Sequence, residues 1–316
     1  MNQELPYKDR FVAFLDILGF SKMVYSNDSV DKAKIYFYQT NMKSILQQLK
    51  DDIEDMNKVH ANENKNLRIE FNHVVISDSI ILTVDIIKTK NNDTEEAAND
   101  IKSTLSQKLT SPEDFKKLGE MFGNFGELCN EYSKLNRLAF AILCEKIALL
   151  QVFLSSRDIW LRGAITSGET FIDPTENQII GKAYIDAYKL ENTYATYPRV
   201  IIDTKLIKTL EFKNEKAFLD FYNQTDYILI YNWENHSIKK DIPLFISFIT
   251  YIDNLENDKE AMELLENIVK NIENNLYSDI GLYKKYFWLV EYTKDCLSNR
   301  NDKKYDYLLT QLKELG

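Results

Sequence analysis

The chain has 316 residues, 44% of them hydrophobic, with 49 acidic against 39 basic side chains and a formal charge of -10. That length and apolar content suit a folded chain with a sizeable core and exclude a disordered one. The acidic balance argues against sequence-independent binding to DNA, RNA or anionic membranes, which depends on basic surface, but it permits an anionic small substrate whose charge metal ions offset.

The N-terminus, MNQELPYKDR, lacks the basic-then-apolar layout of a signal peptide. No apolar run reaches the roughly 20 residues of a membrane span, so the expected location is cytoplasmic. Cys129, Cys144 and Cys296 are isolated and odd in number, which suggests neither a disulfide framework nor a zinc knuckle; they read as buried apolar side chains. His60, His73 and His236 sit at no ligand spacing. Any bound metal is therefore expected on oxygen ligands.

From Phe11, FVAFLDIL reads as a buried strand leading to Gly19. Residues 29 to 58 repeat apolar positions at three- and four-residue spacing without Gly or Pro, which predicts a long amphipathic helix. LRIEFNHVVISDSIILTVDII, residues 67 to 87, has strand-like residues on both sides of Ser77-Asp78-Ser79 and predicts a hairpin with the aspartate at its tip. Residues 88 to 110 are polar and weakly periodic, as expected of a surface insertion.

Ser111-Pro112-Glu113-Asp114 has the capping hydroxyl, first-turn proline and acids that open a helix. Gly119, Gly123 and Gly126 are its expected break points, and AFAILCEKIALLQVFLSS, apolar on most faces, is expected to be buried. Strand character returns at DIWLRGAITSGETFI, followed by a strand at QII, a helix at KAYIDAYKLENTYA and a short strand at RVIID. This order predicts an α+β sandwich over residues 8–205, with one mainly antiparallel sheet flanked by helices. Residues 206–316 read as a mostly helical C-terminal region, apart from YILIYNW. No linker rich in Pro, Gly or Ser intervenes, so this region is expected to pack on the first domain. Tyr36-Phe37-Tyr38 and Tyr286-Phe287-Trp288 read as core or dimer contacts.

Asp16 and Asp78 each sit at the end of a predicted strand. Two carboxylates so placed can converge on one site, where they are natural ligands for magnesium or manganese beside a phosphate. Singly, an aspartate after a strand is an ordinary turn or cap residue.

The segment FLDILGFS resembles the first-strand motif of the class III adenylyl and guanylyl cyclases. In that family the aspartate binds both metals, the next residue offers a backbone carbonyl, and a Gly-Phe turn approaches the phosphates. The resemblance gives these roles to Asp16, Ile17, Gly19 and Phe20, with Ser21 beside them. VVISDSI is similar to the hairpin that supplies the second metal aspartate, here Asp78, with Ser77 where the family usually has glycine. LRGAITSG looks like the strand around Arg162 and Gly168. GKAYIDAYKLE resembles the helix that begins at a glycine, Gly181, and carries the transition-state residues. In combination these motifs look closest to the pyrimidine cyclases of bacterial anti-phage signalling, the Pycsar type, which make cyclic UMP or cyclic CMP.

The resemblance implies a class III cyclase-like fold and two divalent metal ions, Mn2+ or Mg2+. The implied reaction is attack of the ribose 3′-hydroxyl of UTP or CTP on its own α-phosphorus, with pyrophosphate leaving. It further implies a head-to-tail homodimer in which Asp16 and Asp78 of one chain face Gln178 and Lys189 of the other, and a separate effector that responds to the cyclic nucleotide.

Several positions depart from the family's purine cyclases. Their ribose-orienting asparagine and transition-state arginine align with Ile185, which cannot hydrogen-bond, and Lys189, which keeps the charge but not the bidentate fork. Their purine-reading lysine and aspartate align with Val74 and Gln178. Gln178, with donor and acceptor on one amide, and Asn72, on the same strand face as Val74, are candidates for reading a pyrimidine edge. Lys189, Gln178 and Asn72 read equally well as ordinary surface residues. Tyr184 and Tyr188 either narrow the base pocket or pack at an interface. Two alternatives stay open: a purine cyclase with unusual base contacts, and a degenerate cyclase domain that binds nucleotide or a partner without turnover.

Overall fold

A computed structural model of the chain describes residues 7–60, 69–86, 112–224, 227–233, 240–255, 257–300 and 302–315. The proposed insertion at 88–110 and His236 lie outside the described residues, as do the side chains of His60 and Cys129.

Six strands form the main sheet: β1 (Lys8–Ile17), β2 (Phe71–Ile76), β3 (Ser79–Asp85), β4 (Leu161–Asp173), β5 (Gln178–Gly181) and β6 (Val200–Ile202). Their order is β2-β3-β1-β4-β5, and β6 also pairs with β4. The β4–β6 pairing is parallel and the rest are antiparallel, so the protein is α+β with a mixed, mostly antiparallel sheet.

Helices cover both faces of the sheet, which explains why β1 reads as a continuous apolar run instead of an alternating one. Phe11, Ala13, Leu15 and Ile17 join the main core with side chains of α2 (Ser29–His60) and α3 (Pro112–Ser155). Val12 and Phe14, on the other face, join a smaller cluster with Val74, Ile81, Ala183 and Ala187, the last two from α4 (Lys182–Tyr194). The predicted long helix is amphipathic as expected: Tyr38, Met42, Leu46, Leu49 and Ile53 form its buried face.

Two expectations need correction. α3 runs unbroken through Gly119, Gly123 and Gly126. A glycine costs about 1 kcal/mol inside a helix but, unlike proline, keeps its backbone hydrogen bonds. The sequence also shows no apolar run of membrane length, yet Ser133–Ser155 is a helix long and apolar enough to cross one by length and composition. Glu145 and Lys146 interrupt that run in the sequence. In the fold they are paired, Glu145 with the Tyr251 hydroxyl (3.2 Å) and Lys146 with Asp52 (3.4 Å), and 72% of the apolar window is buried as a core helix.

Beyond β6, α5 (Lys205–Thr209), α6 (Glu215–Tyr222) and α7 (Phe248–Tyr251) lead to α8 (Asp258–Leu276), α9 (Ile280–Ser298) and α10 (Asp306–Leu315). The stretch YILIYNW contributes only a two-residue strand, Tyr227–Ile228, and an isolated bridge from Ile230 to Ile246. Buried side chains of α8 and α9 belong to the same core cluster as β1, β4 and β6. Cys144 and Cys296 are free and buried, in line with their reading as apolar side chains.

Candidate active site

Asp16, the penultimate residue of β1, lies opposite Ser79 of β3 and Arg162 of β4. Asp78 is the second residue of the Ser77-Asp78 turn that joins β2 to β3. The Ile17 amide donates to the Asp78 carbonyl at 3.3 Å, clipping the turn to the end of β1 and bringing the two aspartates together. Ser77 has φ 59, the left-handed region that glycine adopts without strain and serine does not.

That strained turn is held from α2. The Tyr38 hydroxyl donates to the Ser77 carbonyl at 3.0 Å, and its ring packs edge-on against Phe20 with centroids 6.0 Å apart. Burial, reinforced by the charges of Asp78 and Asp16, holds the Tyr38 hydroxyl well above its ordinary value, so it remains a donor. Tyr38 is a site residue that sequence reasoning took only for a core or dimer contact. The available signal was chemical: a buried tyrosine hydroxyl needs a partner.

Arg162 reaches Asp16 from β4. Its Nε and Nη2 both donate to Oδ2 of Asp16, each at 3.1 Å, leaving Oδ1 without a hydrogen-bond donor among the described residues. Arg162 Nε also lies 2.9 Å from Glu191 Oε1, but without the alignment of a hydrogen bond. Glu191, on α4, is 2% exposed; burial pushes its carboxyl up to about 7, with Arg162 opposing and Asp16 adding to the shift. Asp16 is likewise raised, first by burial and then by Asp78, against the lowering effect of Arg162. A second cation, Lys285 of α9, is close enough for its charge to favour the ionised form of Asp16.

The other sequence-derived candidates fall into two groups. Ile17, Gly19, Phe20 and Ser21 follow Asp16 directly. Leu18 N is bonded to the Trp160 carbonyl at 2.8 Å, and Gly19 has φ 76 at the start of α1 (Phe20–Tyr25). The Phe20 ring is taken up by Tyr38 and the core, while Ser21 is exposed.

Gln178 is elsewhere. It is exposed and opposite Asp173, and the strand from Arg162 to Asp173 is roughly 36 Å long, so one chain does not bring Gln178 to Asp16. Asn72 is half-buried opposite Thr83, about 13 Å along β3 from Ser79. Lys189 and Ile185 are exposed on α4, whereas Tyr184 and Tyr188 pack on Phe14 with ring centroids 6.1 and 5.4 Å away.

Gly181, which opens α4, has φ 158, and a Cβ there would lie 2.5 Å from the Glu169 carbonyl oxygen. Only glycine lets the helix start this close to β4. Among the described residues no three His, Cys, Asp or Glu side chains form a ready metal cluster. A cavity of about 820 Å³ next to the Gly19 turn is lined by Leu18, Trp160, Leu282 and Tyr286 among others, and by neither aspartate.

Fold and site together define an α+β protein with two carboxylates at one end of a mixed, mostly antiparallel sheet, one of them paired with the half-buried Arg162. No family model, curated protein or solved structure matches the chain.

Proposed function

We propose that this protein is a class III-type nucleotidyl cyclase that converts UTP or CTP to the 3′,5′-cyclic monophosphate and pyrophosphate, a cytoplasmic second-messenger synthase of bacterial anti-phage defence. The observation that carries this reading is the clip between Ile17 and Asp78, which sets two aspartates from neighbouring strands side by side at a strand end. Four motifs in the family's order add to it.

Two divalent ions, Mn2+ or Mg2+, suit this donor set. Burial and the like charge of Asp78 raise the Asp16 pKa, Oδ1 of Asp16 has no hydrogen-bond donor among the described residues, and the Ile17 carbonyl belongs to the same strand end. Bound there, such ions would lower the pKa of the ribose 3′-hydroxyl and neutralise charge on the triphosphate. The chain's own part is positional: Tyr38 and the Ile17 amide hold the hairpin turn, Arg162 fixes the rotamer of Asp16, and the Gly19 turn leads the backbone past the phosphates.

The roughly 36 Å between Asp16 and Gln178 within one chain favours sites assembled from two copies. In a head-to-tail homodimer, Gln178 and Lys189 of one chain would face Asp16 and Asp78 of the other, with Asn72 and Tyr184 as further candidate substrate contacts. The cyclic product would act through a separate cyclic-nucleotide-responsive effector.

A second reading, a degenerate domain that binds nucleotide without turnover, is favoured by one observation: Arg162 already neutralises part of Asp16. Replacing the aspartates separates the two. Asp16→Ala and Asp78→Ala are expected to abolish metal-dependent cyclisation with an unchanged circular dichroism spectrum. Either variant retaining near-normal cyclisation would overturn the assignment.

A further inference from the structure

The C-terminal helices add a cation to the neighbourhood of Asp16. Asp279, just before α9, accepts from the Gly281 amide and from Lys22 Nζ of α1, both at 2.7 Å, so the start of α9 is tied to α1. Further along, Tyr286 meets Trp160 edge to face at 5.9 Å, and the Trp160 carbonyl takes the Leu18 amide. Lys285, immediately before Tyr286, is thereby held beside the strand ends that bear Asp16 and Arg162, and its charge acts on both.

Lys285 is half-buried and has no hydrogen-bond or ion-pair partner among the described residues. Other cations have carboxylate partners: Arg162 has Asp16 and Glu191, Lys22 has Asp279, and Lys34 has Asp31 and Asp158. A partly desolvated ammonium without a counter-ion is an incomplete ion pair, costly until an anion arrives. Burial and then Arg162 push its pKa down, and the charge of Asp16 opposes them without forming an ion pair.

We infer that Lys285 is a substrate-binding residue whose ammonium takes a non-bridging oxygen of the nucleoside triphosphate. This rests on the cyclase reading of the same site and adds that the C-terminal region completes it. A lysine on a flexible stem suits a polyphosphate, where a point charge can follow several oxygens and no planar fork is required.

Calorimetric titration of magnesium tripolyphosphate into the full-length protein tests this, alongside cyclisation of UTP and CTP. Lys285→Met is expected to weaken tripolyphosphate binding by about tenfold or more and to raise KM for the triphosphate more than it lowers kcat. Lys285→Arg should restore most of the affinity, and Lys284→Met, at an exposed neighbour, should bind like the wild type. Unchanged binding by Lys285→Met, or no binding by the wild type, overturns the inference. If the wild type forms no cyclic product yet binds tripolyphosphate through Lys285, the cyclase reading fails and the anion contact stands. If product forms while Lys285→Met binds normally, the contact fails and the cyclase reading stands.

Discussion

Two arginines stand side by side at one end of the sheet and are used in opposite ways. Arg162 near the start of β4 and Arg199 just before β6 are neighbours through the Gly163–Val200 register, and the Gly163 amide donates to the Arg199 carbonyl at 3.1 Å. Arg199 donates to both oxygens of Asp241, at 2.8 and 2.7 Å, and its guanidinium lies 5.1 to 5.3 Å from the ring centres of Tyr197, Trp288 and Phe245. It is 1% exposed, fixed both by the bidentate pair and by the aromatic rings, and it joins the sheet to the C-terminal layer. Arg162 instead divides itself between one oxygen of Asp16 and a poorly aligned contact with Glu191. A carboxylate with both oxygens bonded, as in Asp241, is architecture, whereas a divided arginine leaves carboxylate oxygens free for a ligand.

The sharpest way to break this comparison is at Arg199. Asp241→Asn removes the counter-charge of a buried guanidinium and is expected to cost about 3 kcal/mol in urea unfolding, less than a fully buried pair because Asp241 is partly exposed. A loss of only a few tenths would mean that the Arg199–Asp241 pair contributes no more than a surface ion pair.

Glu191 gives the next largest effect. Its folded pKa, about 7, lies above its ordinary 4.5, so between those values the folded state binds a proton that the unfolded chain has released. Stability from this group is therefore complete below pH 4.5 and falls as pH rises to about 7, by at most about 3 kcal/mol. Asp16, also raised, acts in the same direction. Glu191→Gln should flatten the loss of stability between pH 5 and pH 7.5; identical slopes in variant and wild type would contradict the assignment.

The smallest effect is at Tyr38. Tyr38→Phe deletes the hydrogen bond to the Ser77 carbonyl and should lower stability by about 1 kcal/mol in thermal unfolding. The accompanying fall in cyclisation should exceed that caused by Tyr36→Phe, an exposed position on the same helix.

The helices, the hairpin and the antiparallel sheet were legible in the sequence because their signals are local: periodicity in α2, strand residues around Ser77-Asp78, and a glycine before α4. The convergence of Asp16 and Asp78 was legible only through the resemblance, since two strand ends can meet but nothing local in either segment says that β1 and β3 are neighbours. What the sequence did not show arises from distant contacts. Nothing local in KLE announces that Glu191 is buried against Arg162, nothing in YFY that Tyr38 supports a strained turn on another element, and nothing in LYKKYF that the charge of Lys285 acts on Asp16. The continuity of α3 was missed because three glycines outweigh their true cost when neighbours are ignored.

The most direct test of the central claim is incubation of the purified protein with each of the four ribonucleoside triphosphates and manganese, with the products identified by mass spectrometry. The account predicts cyclic UMP or cyclic CMP, absent with Asp16→Ala. A folded wild-type protein that yields no cyclic nucleotide from any of them would contradict it.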